Sequence, residues 1–258
     1  MTGKTAIVSD IHGNQAALAA VLEDIDTVGV DRIVCLGDIV GYGPHPRECL
    51  DRAMEFEFCV LGNHDSSALF DPGGFNRSAE KAIFWTRQRL ENGESPEAAR
   101  RRMDYLCKMP RMVQEDDVMF VHGSPRGPTN EYVFPEDTQN SKKMTKLFSL
   151  VKRLCFQGHT HVPGVFTNDL RFIRPDDIPD GFDPREASSI GGAELHCMIN
   201  VGSVGQPRDG DARSCYVILD DGRIHFRRVQ YDIEETVRAV EAEAELDNML
   251  GYRLREGR

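Results

Sequence analysis

Short apolar runs that stop at glycine, aspartate and histidine constrain this chain more than any other feature. Arg32-Ile33-Val34-Cys35-Leu36 reads as a buried strand and breaks off at Gly37-Asp38, followed by a glycine-rich turn through Gly41, Tyr42 and Gly43. Thr5-Ala6-Ile7-Val8-Ser9 runs into Asp10-Ile11-His12, and a run at 56–61 ends in Gly62-Asn63-His64-Asp65. Val118-Met119-Phe120-Val121 meets His122-Gly123, and Leu154-Cys155-Phe156-Gln157 meets Gly158-His159-Thr160-His161. In an open α/β sheet, ligands collect at the carboxyl ends of strands, where these side chains stand. One such junction is weak evidence, because Asp commonly starts a turn or caps a helix. Five in one chain are a pattern.

The order of elements narrows the fold. Asn14 is placed to cap a helix with Leu18, Val21, Leu22 and Ile25 on one face. Pro46 suits the first turn of a second helix, which extends to about Glu55. The first sixty residues therefore read β-α-β-α-β. Residues 66–110 read as an inserted helical lobe with segments near 78–92 and 95–107, and a further helix is expected near 137–151. After residue 161 hairpins take over, with a Pro-, Asp-, Gly- and Ser-rich stretch at 174–192 that reads as a mobile surface loop. Strands at 214–219 and 223–231 pair across Asp220-Asp221-Gly222, and an acidic helix near 233–247 follows. A βα half followed by a hairpin half implies a mixed sheet, or two sheets face to face with helices outside. The expectation is one α/β domain over residues 1–258.

Composition sets the class of partner. A chain of 258 residues with 40% hydrophobic and 28% charged content is ordinary for a globular protein. No run of about 18 apolar residues and no basic-then-apolar N-terminus is present, which predicts a cytoplasmic protein. Seven cysteines are scattered singly, as expected of reduced buried thiols. A net charge of −11 argues against broad binding of nucleic acid or anionic membrane. An anionic substrate stays open to such a chain, because bound divalent cations invert the local field.

Five of the eight histidines (His12, His64, His122, His159 and His161) lie just after an expected strand. Mixed Asp, Asn and His donors suit Mn, Fe, Co, Ni or Zn better than Mg or Ca. Two such ions about 3.5–4 Å apart need a bridging carboxylate, as in many phosphate-ester hydrolases. Asp38 is the natural bridge, since it follows the central strand with no histidine beside it.

In this order, Asp10-x-His12, Gly37-Asp38, Gly62-Asn63-His64-Asp65, His122-Gly123 and Gly158-His159-Thr160-His161 resemble the five motifs of the calcineurin-like metallophosphoesterase superfamily. The forms Gly-Asp-Ile-Val-Gly-Tyr-Gly-Pro, His-Gly-Ser-Pro and Asn-Val-Gly-Ser-Val-Gly-Gln-Pro-Arg are similar to its compact bacterial branch, often labelled diadenosine-tetraphosphatase-related. The resemblance implies a four-layer αββα sandwich of two mixed sheets. It also implies two divalent transition-metal ions and hydrolysis of a small phosphoester by a metal-activated hydroxide. Carried over, Asp10, His12 and His161 would bind one ion, and Asn63, His122 and His159 the other. Asp38 would bridge both, and His64 would act on the substrate as catalytic acid.

Departures from the family pattern bear on the substrate. Relatives that grip a terminal phosphate carry an arginine in the turn after the bridging Asp, where this chain has Gly41-Tyr42-Gly43. The acid that supports the catalytic histidine in protein phosphatases is replaced by Gly41, leaving Asp65 as a substitute. Without a bidentate guanidinium a dianionic monoester loses its best anchor, which favours phosphodiesters. Phosphomonoesters are the alternative, and a metal-binding scaffold without activity is a third reading. Arg208, Arg126 and Tyr42 are the candidate substrate contacts. For Tyr42 a packed role beneath the turn weighs equally. The sequence leaves the oligomeric state open.

Overall fold

Period-two alternation decides which way each strand faces, and here both faces are apolar. In β1 (Thr5–Val8), Ile7 points into one apolar cluster while Ala6 and Val8 point into another. The same split separates Val34 from Cys35 in β2 (Arg32–Cys35), and Phe120 from Met119 and Val121 in β5 (Val118–Val121). Strands buried on both faces must lie between two covering layers. The structure, a computed structural model, describes residues 3–187 and 195–258 and shows those layers.

The first sheet adds β3 (Phe58–Cys59), β10 (Ser214–Asp220) and β11 (Arg223–Val229), in the order β11-β10-β1-β2-β3. Its β1, β2 and β3 are parallel, and β10 closes antiparallel on β1. The second sheet contains β4 (Met112–Glu115), β6 (Leu154–Gln157), β7 (Gly164–Thr167), β8 (Phe172–Ile173) and β9 (Cys197–Asn200). Its order is β4-β5-β6-β9-β7-β8, with β5, β6 and β9 parallel. Ile7, Val34, Phe120, Phe156, Ile199 and Val217 fill the space between the sheets. This is the four-layer αββα sandwich.

Helices cover the outer faces. Against the first sheet lie α1 (Gln15–Val28) and α2 (Pro46–Ala53), whose Leu18, Val21, Ile25 and Leu50 meet Ala6, Val8 and Cys35. Asn14 does cap α1, accepting from the Ala17 N–H at 3.1 Å. Between β3 and β4 come α3 (Asn63–Leu69), α4 (Arg77–Glu91) and α5 (Pro96–Lys108). Against the second sheet, α6 (Ser141–Phe148) buries Met144 and Leu147 on Met119 and Cys155. The chain closes with α7 (Ile233–Glu241) and the one-turn α8 (Met249–Tyr252).

Sequence and structure part company in a few places. The helix expected at 137–151 splits into a 3₁₀ turn, Pro135–Gln139, and the shorter α6. The helix expected at 233–247 ends at Glu241. The loop expected at 174–192 lies partly outside the described residues, at 188–192; its described part holds a 3₁₀ turn, Pro175–Asp177, and a bridge from Phe182 to Ile224. Among the described residues no helix is long and apolar enough to cross a membrane.

Candidate metal centre

Parallel strands share a direction, so their carboxyl ends share an edge. At that edge β1 delivers Asp10 and His12, β2 delivers Asp38, and the start of α3 carries Asn63 and His64. The second sheet answers with His122 after β5 and with His159 and His161 after β6. Asp10, His12, Asp38, His159 and His161 all adopt left-handed backbone, with φ between 51° and 67°. Such backbone costs about 1–3 kcal/mol per residue and persists only where surroundings over-determine it. Here Asp10 N–H bonds to Gly37 O (3.0 Å) and His12 N–H to Asp38 O (2.9 Å), so the two turns hold each other. Gly62 is required because a Cβ there would lie 2.1 Å from Asp38 Oδ1.

The polar atoms form two groups joined through Asp38. In one, His12 Nε2 and His161 Nε2 are 3.2 Å apart, with Asp10 Oδ1 at 3.8 and 3.1 Å. In the other, His122 Nε2 is 3.0 Å from both Asn63 Oδ1 and His159 Nδ1. Asp38 Oδ2 faces both groups, 3.7 Å from His12 Nε2 and 3.3 Å from His122 Nε2. All seven side chains are buried.

Hydrogen bonds behind the rings say which nitrogens are bare. Nδ1 of His12, His122 and His161 lies 3.3, 2.9 and 2.6 Å from the carbonyls of Val40, Leu36 and Gln206. A carbonyl can only accept, which assigns a proton to each Nδ1 and leaves a lone pair on Nε2 wherever the ring is neutral. Two bare Nε2 atoms then face each other at 3.2 Å, and Asp10 Oδ1 has no hydrogen-bond partner among the described residues. Acceptors converging on acceptors, in a buried space, need cations between them. The donor set therefore fits two divalent ions.

Electrostatics agree for His12 and His161 and differ for His122. Burial pushes the Asp10 and Asp38 carboxyls up, but the surrounding histidines (His161 for Asp10, His122 and His64 for Asp38) overcome it and keep both well below the usual carboxylate range. Burial holds His12 and His161 down, and takes His159 to about 3 and His64 to about 4. His122 is the exception: burial opposes its charge, yet Asp38 raises it to about 9.

The expected substrate residues fare differently. Arg208 is at the site: its N–H donates to His161 O at 3.3 Å, and its charge pushes His64 and His161 down. The Arg126 guanidinium is committed to an ion pair with Glu131. Tyr42 packs and does not present a free ring. It is 9% exposed, its ring centre lies 4.3 and 4.8 Å from those of His64 and His12, and Ala79, Ala82, Trp85 and Leu250 complete its surroundings. Asp65 does not orient His64. Its Oδ1 accepts from Ile39 and Val40 N–H and its Oδ2 from Gly62 N–H, so it braces the Asp38 turn. His64 stands within the same 4.8 Å grouping as His12 and Asp38, so distance alone does not separate it from the metal-facing set.

Two contributors lie outside the motifs. Tyr132 stacks on the His159 ring with centres 3.7 Å apart, and Arg253, from the 3₁₀ turn after α8, places Cζ 4.6 Å from the Tyr42 ring centre. The alternation in Tyr132-Val133-Phe134 after His122-Gly123 is a faint signal for the first. Nothing local marks the second.

The model of the calcineurin-like phosphoesterase superfamily domain matches residues 4–222. The protein MJ0912 of Methanocaldococcus jannaschii is 34% identical over 263 residues, covering 98% of each chain. A metallophosphoesterase from Sphaerobacter thermophilus, also 34% identical, superposes along all of both chains with a TM-score of 0.79. PH1004 of Pyrococcus horikoshii shares the fold at 18% identity, with a TM-score of 0.75 over 100% of this chain and 99% of its own. With strand-end donors in the order the motifs require and a family match running from the first strand past the tenth, the chain belongs to the calcineurin-like phosphoesterase superfamily and is a metal-dependent phosphoesterase.

Proposed function

We propose that the cluster holds two divalent transition-metal ions with Asp38 between them, Asp10, His12 and His161 serving one and Asn63, His122 and His159 the other. One observation carries this: Asp38 Oδ2 faces a histidine nitrogen of each group, at 3.7 and 3.3 Å. Bound ions would supply an acidified water and neutralise charge on phosphoryl oxygens. His64 is the residue we assign to the substrate. Its backbone N–H donates to Asp38 Oδ1 at 2.8 Å, which holds its main chain beside the cluster. Its neutral imidazole keeps one N–H, enough to donate to a phosphoryl or leaving oxygen.

The ester class turns on the space around Tyr42. The missing arginine beside Asp38 favours diesters, but remote segments supply guanidinium groups there. Cζ of Arg208 and Arg253 lies 5.8 and 4.6 Å from the Tyr42 ring centre. Arg208 Nε and Arg253 Nε and Nη2 are buried without hydrogen-bond partners among the described residues. Burial and the Arg208 charge bring Arg253 down to about 10, the mark of two cations sharing one corner. Arg208 Nη2 donates to Gln206 Oε1 at 2.7 Å, and the guanidinium donors that remain suit a dianionic phosphate, which supports reading monoesters ahead of diesters.

Kinetics on the manganese-loaded chain test both parts. The mono-ester of p-nitrophenol should give the higher kcat/KM and the bis-ester the lower; the reverse order restores the diester preference. His64→Ala should slow turnover by about 10²–10⁴-fold while keeping both ions. Loss of metal from that variant would make His64 a ligand.

A further inference from the structure

Tyr132 and Phe134 are large aromatics that the fold leaves 43% exposed, while Val133 between them is buried. Their rings are not idle. Tyr132 lies on His159 with ring centres 3.7 Å apart and planes at 21°, and Phe134 lies on Tyr132 at 5.5 Å and 6°. Three near-parallel rings thus step outward from the metal-facing cluster. The last of them, Phe134, lines a cavity of about 300 Å³ together with Val162, Pro163, Phe172, Arg174 and Arg208. Its wall is tied to the cluster through the chain, because Val162 and Pro163 follow His161 directly and the Arg208 backbone N–H is bonded to the His161 carbonyl.

We propose that this cavity is the leaving-group subsite and that it takes a planar aromatic group, stacked on Phe134 while the phosphate lies on the metal cluster. The inference rests on the phosphoesterase reading above and adds the chemistry of the rest of the substrate. Exposed aromatic surface is favourably covered by an offset-stacked ring. Arg174 on the cavity wall offers a planar cation that can stack on the same ring or donate to its polar edge. A small alkyl alcohol would leave Phe134 uncovered.

Three monoesters with the same phosphate separate the possibilities: a nucleoside 5′-monophosphate, p-nitrophenyl phosphate and glycerol phosphate. Each is measured on the full, manganese-loaded chain and on Phe134→Ala and Phe134→Trp. The ratio of kcat/KM for the two ring-bearing esters over glycerol phosphate should fall about tenfold in Phe134→Ala, the usual scale of one lost ring stack. Phe134→Trp should keep it. A fall confined to the nucleotide identifies a nucleobase, and a fall in both identifies any planar ring. A ratio that does not move overturns the subsite while the metal reading stands. If the wild-type chain turned over none of the three, the monoester reading would fail and the subsite with it.

Discussion

Gly41 and His64 share a space that holds only one side chain. Gly41 has φ of 92°, and a Cβ there would come within 2.5 Å of His64 Nδ1. Gly41→Ala should therefore displace the imidazole and strain the turn by about 1–3 kcal/mol. Turnover should drop roughly 10²-fold, the scale of a small misplacement of a reacting group, with metal content unchanged. Wild-type kinetics in this variant would remove His64 from the reaction. The glycine that stands where relatives have an acid is thus the residue that makes room for the histidine. Asp10, His12, Asp38, Asn63, His122, His159 and His161 were legible because donor type and strand-end context coincide within a few residues of sequence. Arg253 was not. Its place over Tyr42 depends on the C-terminal segment returning to the first turn, and no local pattern encodes that return.

Helix α3 shows what pattern reading misses among elements. The sequence marks Gly62-Asn63-His64-Asp65 only as the end of a strand, but Asn63 opens a helix of seven, too short to display an apolar period. Its first turn is held from below by Asp65, whose carboxylate takes N–H groups from Gly62 (3.1 Å), Ile39 (2.9 Å) and Val40 (3.1 Å). Asp65→Ala would leave three buried donors without acceptors, costing about 3 kcal/mol or more. Thermal unfolding should move down by roughly 6–12 °C for a chain of this size; a shift under about 2 °C would show that the brace is dispensable. The longer helices were legible, with α4 and α5 within a residue of expectation. The edge strand β4 went unread because its residues are exposed or half-exposed and lack an apolar run.

Across the molecule, neither sheet holds a complete site. The first contributes Asp10, His12, Asp38 and Asn63, and the second His122, His159 and His161, so bound ions would join the two halves of the sandwich at one edge. The switch between βα units and hairpins left a mixed sheet or two facing sheets, and the family resemblance implied the sandwich, whereas the pairing of β10 with β1 across the chain was not legible. On the proposed reading the ester class is likewise a whole-molecule property, because it rests on Arg208 and Arg253 arriving from distant segments. The central claim is that Asp38 sits between two ions, and it is tested most directly by counting them. Elemental analysis of manganese-loaded protein, after free metal is removed, should find two ions per wild-type chain and fewer than two in Asp38→Asn, with hydrolysis lost in the variant. A wild-type chain holding one ion or none, or an Asp38→Asn chain that keeps two, would contradict it.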